Sequence, residues 1–109
     1  IKEEASNNTA ALTEILNSDK GSRFVGELSF GLNDNMTEAT RLTIFDEKMG
    51  KSMHMALGKC YEECPNGNDS QIHWDMIFNF LWAKAEIYFD SKKVFSKNKW
   101  IDSRLKFLN

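Results

Sequence analysis

Two cysteines four residues apart, Cys60 and Cys64, bracket Tyr61-Glu62-Glu63 and form the most specific chemical feature of this 109-residue chain. On an unbroken helix the Cβ atoms of such a pair lie about 6 Å apart, against roughly 3.8 Å in a disulfide. A bond between them requires the helix to have ended near Cys60. Pro65 favours this, because it drives the residue before it out of helical geometry. The pair therefore reads as a disulfide candidate that would clamp a helix end, with free or intermolecular thiols as the alternative. The spacing is not Cys-X-X-Cys and no βαβ pattern accompanies it, which argues against a redox role.

The same residues define the one metal-ligand set that can be written down: His54, Cys60, Cys64 and His73. Two thiolates on one helical face and two imidazoles would satisfy a tetrahedral ion. The spacing matches no structural zinc pattern, and on a continuous helix His54 sits about 240° around from Cys60. The expectation is no metal and no cofactor. Nucleophilic catalysis finds no Gly-X-Ser-X-Gly and no cysteine–histidine motif. The conspicuous carboxylates, Glu3-Glu4, Asp46-Glu47 and Glu62-Glu63, are adjacent pairs that point to different sides of a helix. With no convergent acid–base set, no catalytic residue is assigned and the chain is expected not to be an enzyme.

Three Asn-X-Ser/Thr acceptors begin at Asn7, Asn35 and Asn68, each where a terminus, helix start or loop is expected. They are glycosylation candidates. Together with a chain that begins at Ile1, they favour a secreted product over a cytoplasmic one. The net charge of −2 conceals a split: six cations against Asp102 leave +5 on residues 91–109, and the preceding 90 residues carry −7. Lys92, Lys93, Lys97, Lys99, Arg104 and Lys106, interleaved with Phe95, Trp100 and Phe107, make a basic aromatic segment. These cations and Trp100 are the candidate contact surface, for a protein partner before a membrane surface. Nucleic acid is not expected, because the acidic remainder repels a polyanion. Five methionines and thirteen aromatics allow a second reading, a wall for an apolar ligand.

The elements that must position these residues read as helices. Apolar residues at 41% and charged residues at 28% suit one soluble domain spanning 1–109, and a single proline disfavours a turn-rich sandwich. A first segment through Asn17 carries Ala5, Leu12, Ile15 and Leu16 on one face, closed by Ser18-Asp19-Lys20-Gly21. Residues 22–33 fit a helix through Phe24, Val25, Leu28 and Leu32, or a strand through Leu28, Phe30 and Leu32. A lone strand would lack a partner, which favours a short helix. Asn35-Met36-Thr37-Glu38 reads as a capping box, opening a stripe of Ala39, Leu42, Phe45, Met49, Met53, Ala56 and Cys60. Pro65-Asn66-Gly67-Asn68 is a turn. Beyond it Ile72, Trp74, Ile77, Phe78, Leu81, Ala85, Tyr88 and Phe89 form a broad apolar face, and the pattern resumes with Phe95, Trp100, Ile101, Leu105 and Leu108.

The resulting expectation is an all-α antiparallel bundle of four to five helices with short loops. Its function would be protein–protein binding of inhibitor, ligand or effector type. A helical carrier of an apolar molecule and an intracellular inhibitor or immunity-type protein are the alternatives.

Overall fold

In a computed structural model, which describes Ile1 and residues 6–109, the chain is mostly β. Strands account for 32% and helices for 17%, in short pieces, so the expected helical bundle is replaced by two small antiparallel sheets. The first sheet has the order β1-β2-β3, from Val25–Gly31, Ser52–Gly58 and His73–Asn79. The second has the order β4-β5-β6, from Ile87–Phe89, Lys92–Ser96 and Lys99–Trp100. Among the described residues no helix is long and apolar enough to cross a membrane.

Only the first expected helix forms at length, as α1 over Thr9–Leu16, with the Asn8 side chain accepting from the Ala11 amide. Leu16 is its buried anchor; Ala5, assigned to the same face, lies outside the described residues, as does the Glu3-Glu4 pair. Within the segment 22–33, residues 25–31 form strand β1 rather than a helix, and its partner is β2. The capping box at Asn35 opens no helix. The stripe from Ala39 to Cys60 is broken into a single turn, α2 (Thr43–Asp46), and strand β2. The face from Ile72 to Phe89 becomes β3, one turn α3 (Phe80–Ala83) and β4.

The sequence misleads here because Met, Leu and Ala at spacings of three and four also satisfy a period of two once the intervening residues are read. In β2, Met53, Met55 and Leu57 alternate with Ser52, His54 and Ala56. In β3, Trp74, Met76 and Phe78 alternate with His73, Asp75 and Ile77. Few of these residues are β-branched, so tertiary pairing rather than propensity decides the outcome.

Two compact units emerge, residues 1–29 with 54–76, and residues 30–53 with 77–109. In the second unit Phe80, Val94, Phe95 and Trp100 are buried together, with Phe30, Met53, Ile87 and Leu105 packed against them. The ring centroids of Phe95 and Trp100 lie 5.1 Å apart and those of Phe30 and Trp100 5.2 Å, both edge to face, the arrangement aromatic quadrupoles favour. Lys97 and Asn98, both at positive φ, make the tight turn between β5 and β6. Trp100, expected on a contact surface, is thus a core residue.

In the first unit the backbone runs very close. A Cβ added at Gly26 would lie 2.2 Å from the Gly58 carbonyl oxygen, and one at Gly58, whose φ is +97°, 2.2 Å from that of Ile72. Only glycine fits both demands at Gly58.

Candidate metal centre

The period of two along each strand of the first unit puts Glu27 and Ser29 of β1, His54 of β2, and His73 and Asp75 of β3 in one neighbourhood. Glu27 is the hub. Its Oε1 accepts from the Ser29 hydroxyl at 2.8 Å and lies 3.0 Å from His54 Nε2. Its Oε2 lies 3.4 Å from His73 Nε2, which is 3.6 Å from Asp75 Oδ1. One ligand atom from each of Glu27, His73 and Asp75 can be chosen so that all three lie within 4.8 Å of one another.

The hydrogen-bond inventory of this cluster is unbalanced. His73 Nδ1 is 2.7 Å from the Lys59 carbonyl oxygen, and a carbonyl only accepts, so Nδ1 carries the proton. In the neutral ring Nε2 then presents a lone pair to two carboxylates. His54 has only 5% of its side chain exposed, and its Nδ1 finds no partner. Asp75 Oδ1 is buried and accepts no hydrogen bond. Buried polar atoms left in this state cost of the order of 1–3 kcal/mol each.

Burial pushes the Glu27 carboxyl upward, but the hydrogen bonds from Ser29 and His54, joined by smaller electrostatic contributions from the His54 and His73 rings, outweigh it. The result lies below the ordinary glutamate value. Two carboxylates and two imidazoles, with the His73 Nε2 lone pair facing the Glu27 and Asp75 carboxylates, are the donor set a divalent cation of the zinc, cobalt or manganese type takes. The residues present fit such an ion.

Neighbouring loops hold these strands in place. Asp19 accepts from the Gln71 amide at 2.6 Å, from the Ser70 hydroxyl, and from the amides of Gly21 and Ser22. This ties down the segment that enters β3 two residues before His73. The Gln71 amide, with the Ser22, Ser70 and Gly21 donors, lowers the Asp19 pKa to about 2 against the opposing effect of burial. A shallow hollow of about 390 Å³ lies against His73, lined by Lys59, Cys60, Tyr61, Glu62 and Glu63.

In sequence, His54 and His73 share a ligand set with Cys60 and Cys64 at which no metal is expected; the two histidines instead meet at Glu27, and His54 is buried. The strand geometry removes the helical angle that had separated His54 from the rest. Cys60 and Cys64 do not join the ligand groups found among the described residues, and no disulfide links them. Both thiols are free, Cys60 half-buried and Cys64 exposed. The chain is therefore neither all-α nor disulfide-clamped.

Glu27 and Asp75 each stand alone among apolar neighbours and glycine, so no local carboxylate pairing marks them. The available signal was the alternation in His73-Trp74-Asp75, which returns two ligating side chains to one face of a strand.

The remaining expected residues fall elsewhere. Asn7 and Asn35 are exposed. The Asn68 amide nitrogen is occupied, donating to the carbonyls of Gly21 at 3.0 Å and Gly58 at 2.5 Å. Within the basic segment Lys92 and Arg104 close on the buried Asp102 at 2.7 and 3.1 Å, and Lys93 on Glu86 at 2.7 Å. Lys97, Lys99 and Lys106 are exposed.

In comparisons with known proteins, the family model described as thermophilic metalloprotease (M29) matches residues 1–85. That range contains all four residues of the cluster. The match points to an enzyme family, against the expectation of a non-enzyme, and to a metalloprotease rather than an inhibitor. No curated protein and no solved structure matches.

Proposed function

The chain belongs to the thermophilic metalloprotease (M29) family, and we propose that it serves metal-dependent hydrolysis of peptide bonds, with Glu27, His54, His73 and Asp75 holding the ion. The observation that carries this reading is the unbalanced cluster itself. Two carboxylates and two imidazoles converge, with His54 Nδ1 and Asp75 Oδ1 buried and unpartnered, inside the span the family model matches.

When bound, a divalent ion supplies Lewis acidity toward a carbonyl and a nucleophile available near neutral pH. The protein's own groups prepare the site. Ser29 fixes the rotamer of Glu27, and the environment of Glu27 keeps it ionised at neutral pH. The Lys59 carbonyl selects the His73 tautomer whose Nε2 is free to ligate. The buried ring of His54 closes one side to water. The hollow against His73 offers a peptide a place beside the ligands, with the Tyr61 ring and the Glu62 and Glu63 carboxylates on its wall.

Titration of the purified chain with Co²⁺, followed by visible absorption, tests the metal reading, and amino-group release from short peptides tests the activity. The expected result is saturable Co²⁺ binding, hydrolysis only in the loaded protein, and loss of both in Glu27→Gln. Removing a ligand should weaken binding by at least the roughly 10–100-fold typical of second-shell changes. Absence of Co²⁺ binding, or equal binding by Glu27→Gln and wild type, would overturn the reading.

A further inference from the structure

We infer that Asn68 is a positioning residue for His73, acting through the peptide unit between Lys59 and Cys60. The inference rests on the metal-site reading for its functional meaning, but its geometry is independent of any ion.

The residues on either side of Lys59 are gripped by one side chain and its own backbone. The two hydrogens of the Asn68 amide go to the carbonyls of Gly58 and Gly21. The backbone carbonyl of Asn68 accepts from the Cys60 amide at 3.0 Å. The Lys59 carbonyl belongs to the same rigid peptide unit as the Cys60 amide, and it receives the His73 Nδ1 proton at 2.7 Å. The Asn68 side chain, through its two bonds to Gly58 and Gly21, holds the Asn68 backbone carbonyl in place, and the anchored Cys60 amide fixes where the Lys59 carbonyl points.

The remaining polar groups here are also committed. The Gly58 amide donates to Phe24 and the Lys59 amide to Ile72, at 2.9 and 2.7 Å. Gly58, at φ +97°, brings this backbone close enough for Asn68 to reach it. The outcome is a chain of contacts from Asn68 through the Lys59–Cys60 peptide to a single imidazole tautomer, the arrangement that orients metal-ligating histidines.

A carboxylate at position 68 would face the Gly21 and Gly58 carbonyls as acceptor against acceptor. A glycan on the same nitrogen would replace a hydrogen that one of the two bonds needs. Asn68 thus has a role that excludes the glycosylation its Asn-Asp-Ser context suggests.

The test uses ring ¹⁵N shifts of His73 in the metal-free protein at neutral pH, in wild type, Asn68→Asp, Asn68→Ala and Asn66→Asp. Asn66 lies on the same loop, donates to the Val25 carbonyl and accepts from the Asn68 amide; its aspartate variant keeps an acceptor for that amide and loses only the bond to Val25. Wild type and Asn66→Asp should show a dominant Nδ1–H tautomer, whereas both Asn68 variants should show a mixture. Co²⁺ affinity should fall about tenfold or more in the Asn68 variants and stay within twofold in Asn66→Asp.

A folded Asn68 variant with an unchanged tautomer overturns the inference. An Nε2–H tautomer in wild type does so even if neither Asn68 variant folds. Failure of wild type to bind Co²⁺ strikes the metal reading instead, and the tautomer measurement still decides the role of Asn68.

Discussion

Asp19 shows how a single carboxylate can be committed to architecture while a neighbouring one is committed to chemistry. Its oxygens are saturated by donors from two loops, whereas Asp75 keeps a buried oxygen without any. The folded-state pKa of Asp19, about 2, lies below the ordinary value. Its contribution to stability is therefore complete above that ordinary value, near 4, and is lost as pH falls through the folded value. Acid unfolding of wild type should include a component between about pH 4 and 2 that Asp19→Asn lacks. The variant should also melt lower at pH 7, since an amide group would oppose the Gln71 N–H. Equal slopes of melting temperature against pH in the two proteins would refute this assignment.

Strand pairing, at the scale of elements, explains both what the sequence disclosed and what it hid. α1, the turn at Pro65-Asn66-Gly67 and the alternation of Leu28, Phe30 and Leu32 were legible locally. The partner of that strand was not, because Met53, Ala56 and Cys60 continue a helical stripe and mask the alternation of β2. The histidines of the site were legible by residue type, but Glu27 and Asp75 became meaningful only once β1 and β3 were strands.

Backbone proximity is the price of this pairing, and Gly58 carries it. Gly58→Ala places a side chain at positive φ against the Ile72 carbonyl, and strain of this kind costs about 1–3 kcal/mol. The variant should melt correspondingly lower and bind Co²⁺ more weakly, because Lys59 follows directly. In the second unit Phe95→Ala removes a fully buried ring from the aromatic cluster and should cost about 3–5 kcal/mol in chemical denaturation. A loss under 1 kcal/mol would contradict its place in that core.

All four proposed ligands fall within a single compact unit, so at the scale of the whole molecule metal should act unevenly. Hydrogen exchange measured with and without Co²⁺ is expected to slow in residues 6–29 and 54–76 more than in residues 77–109. Saturation at a hundred times the dissociation constant would add about 2.7 kcal/mol to the stability of the binding-competent state. Uniform protection over the chain, or none, would contradict a site confined to the first unit.

The proposed ligands are also far apart in sequence, with Glu27 and His54 alone separated by 27 positions, and only completed pairing brings them together. Contacts of such separation form late, after the entropy of closing the intervening loops has been lost. On the proposed reading, metal would arrive at a finished site and act as a latch on the exit. In stopped-flow experiments Co²⁺ should slow unfolding while leaving the refolding rate nearly unchanged. An ion held there would set the protein's lifetime rather than its route to the folded state.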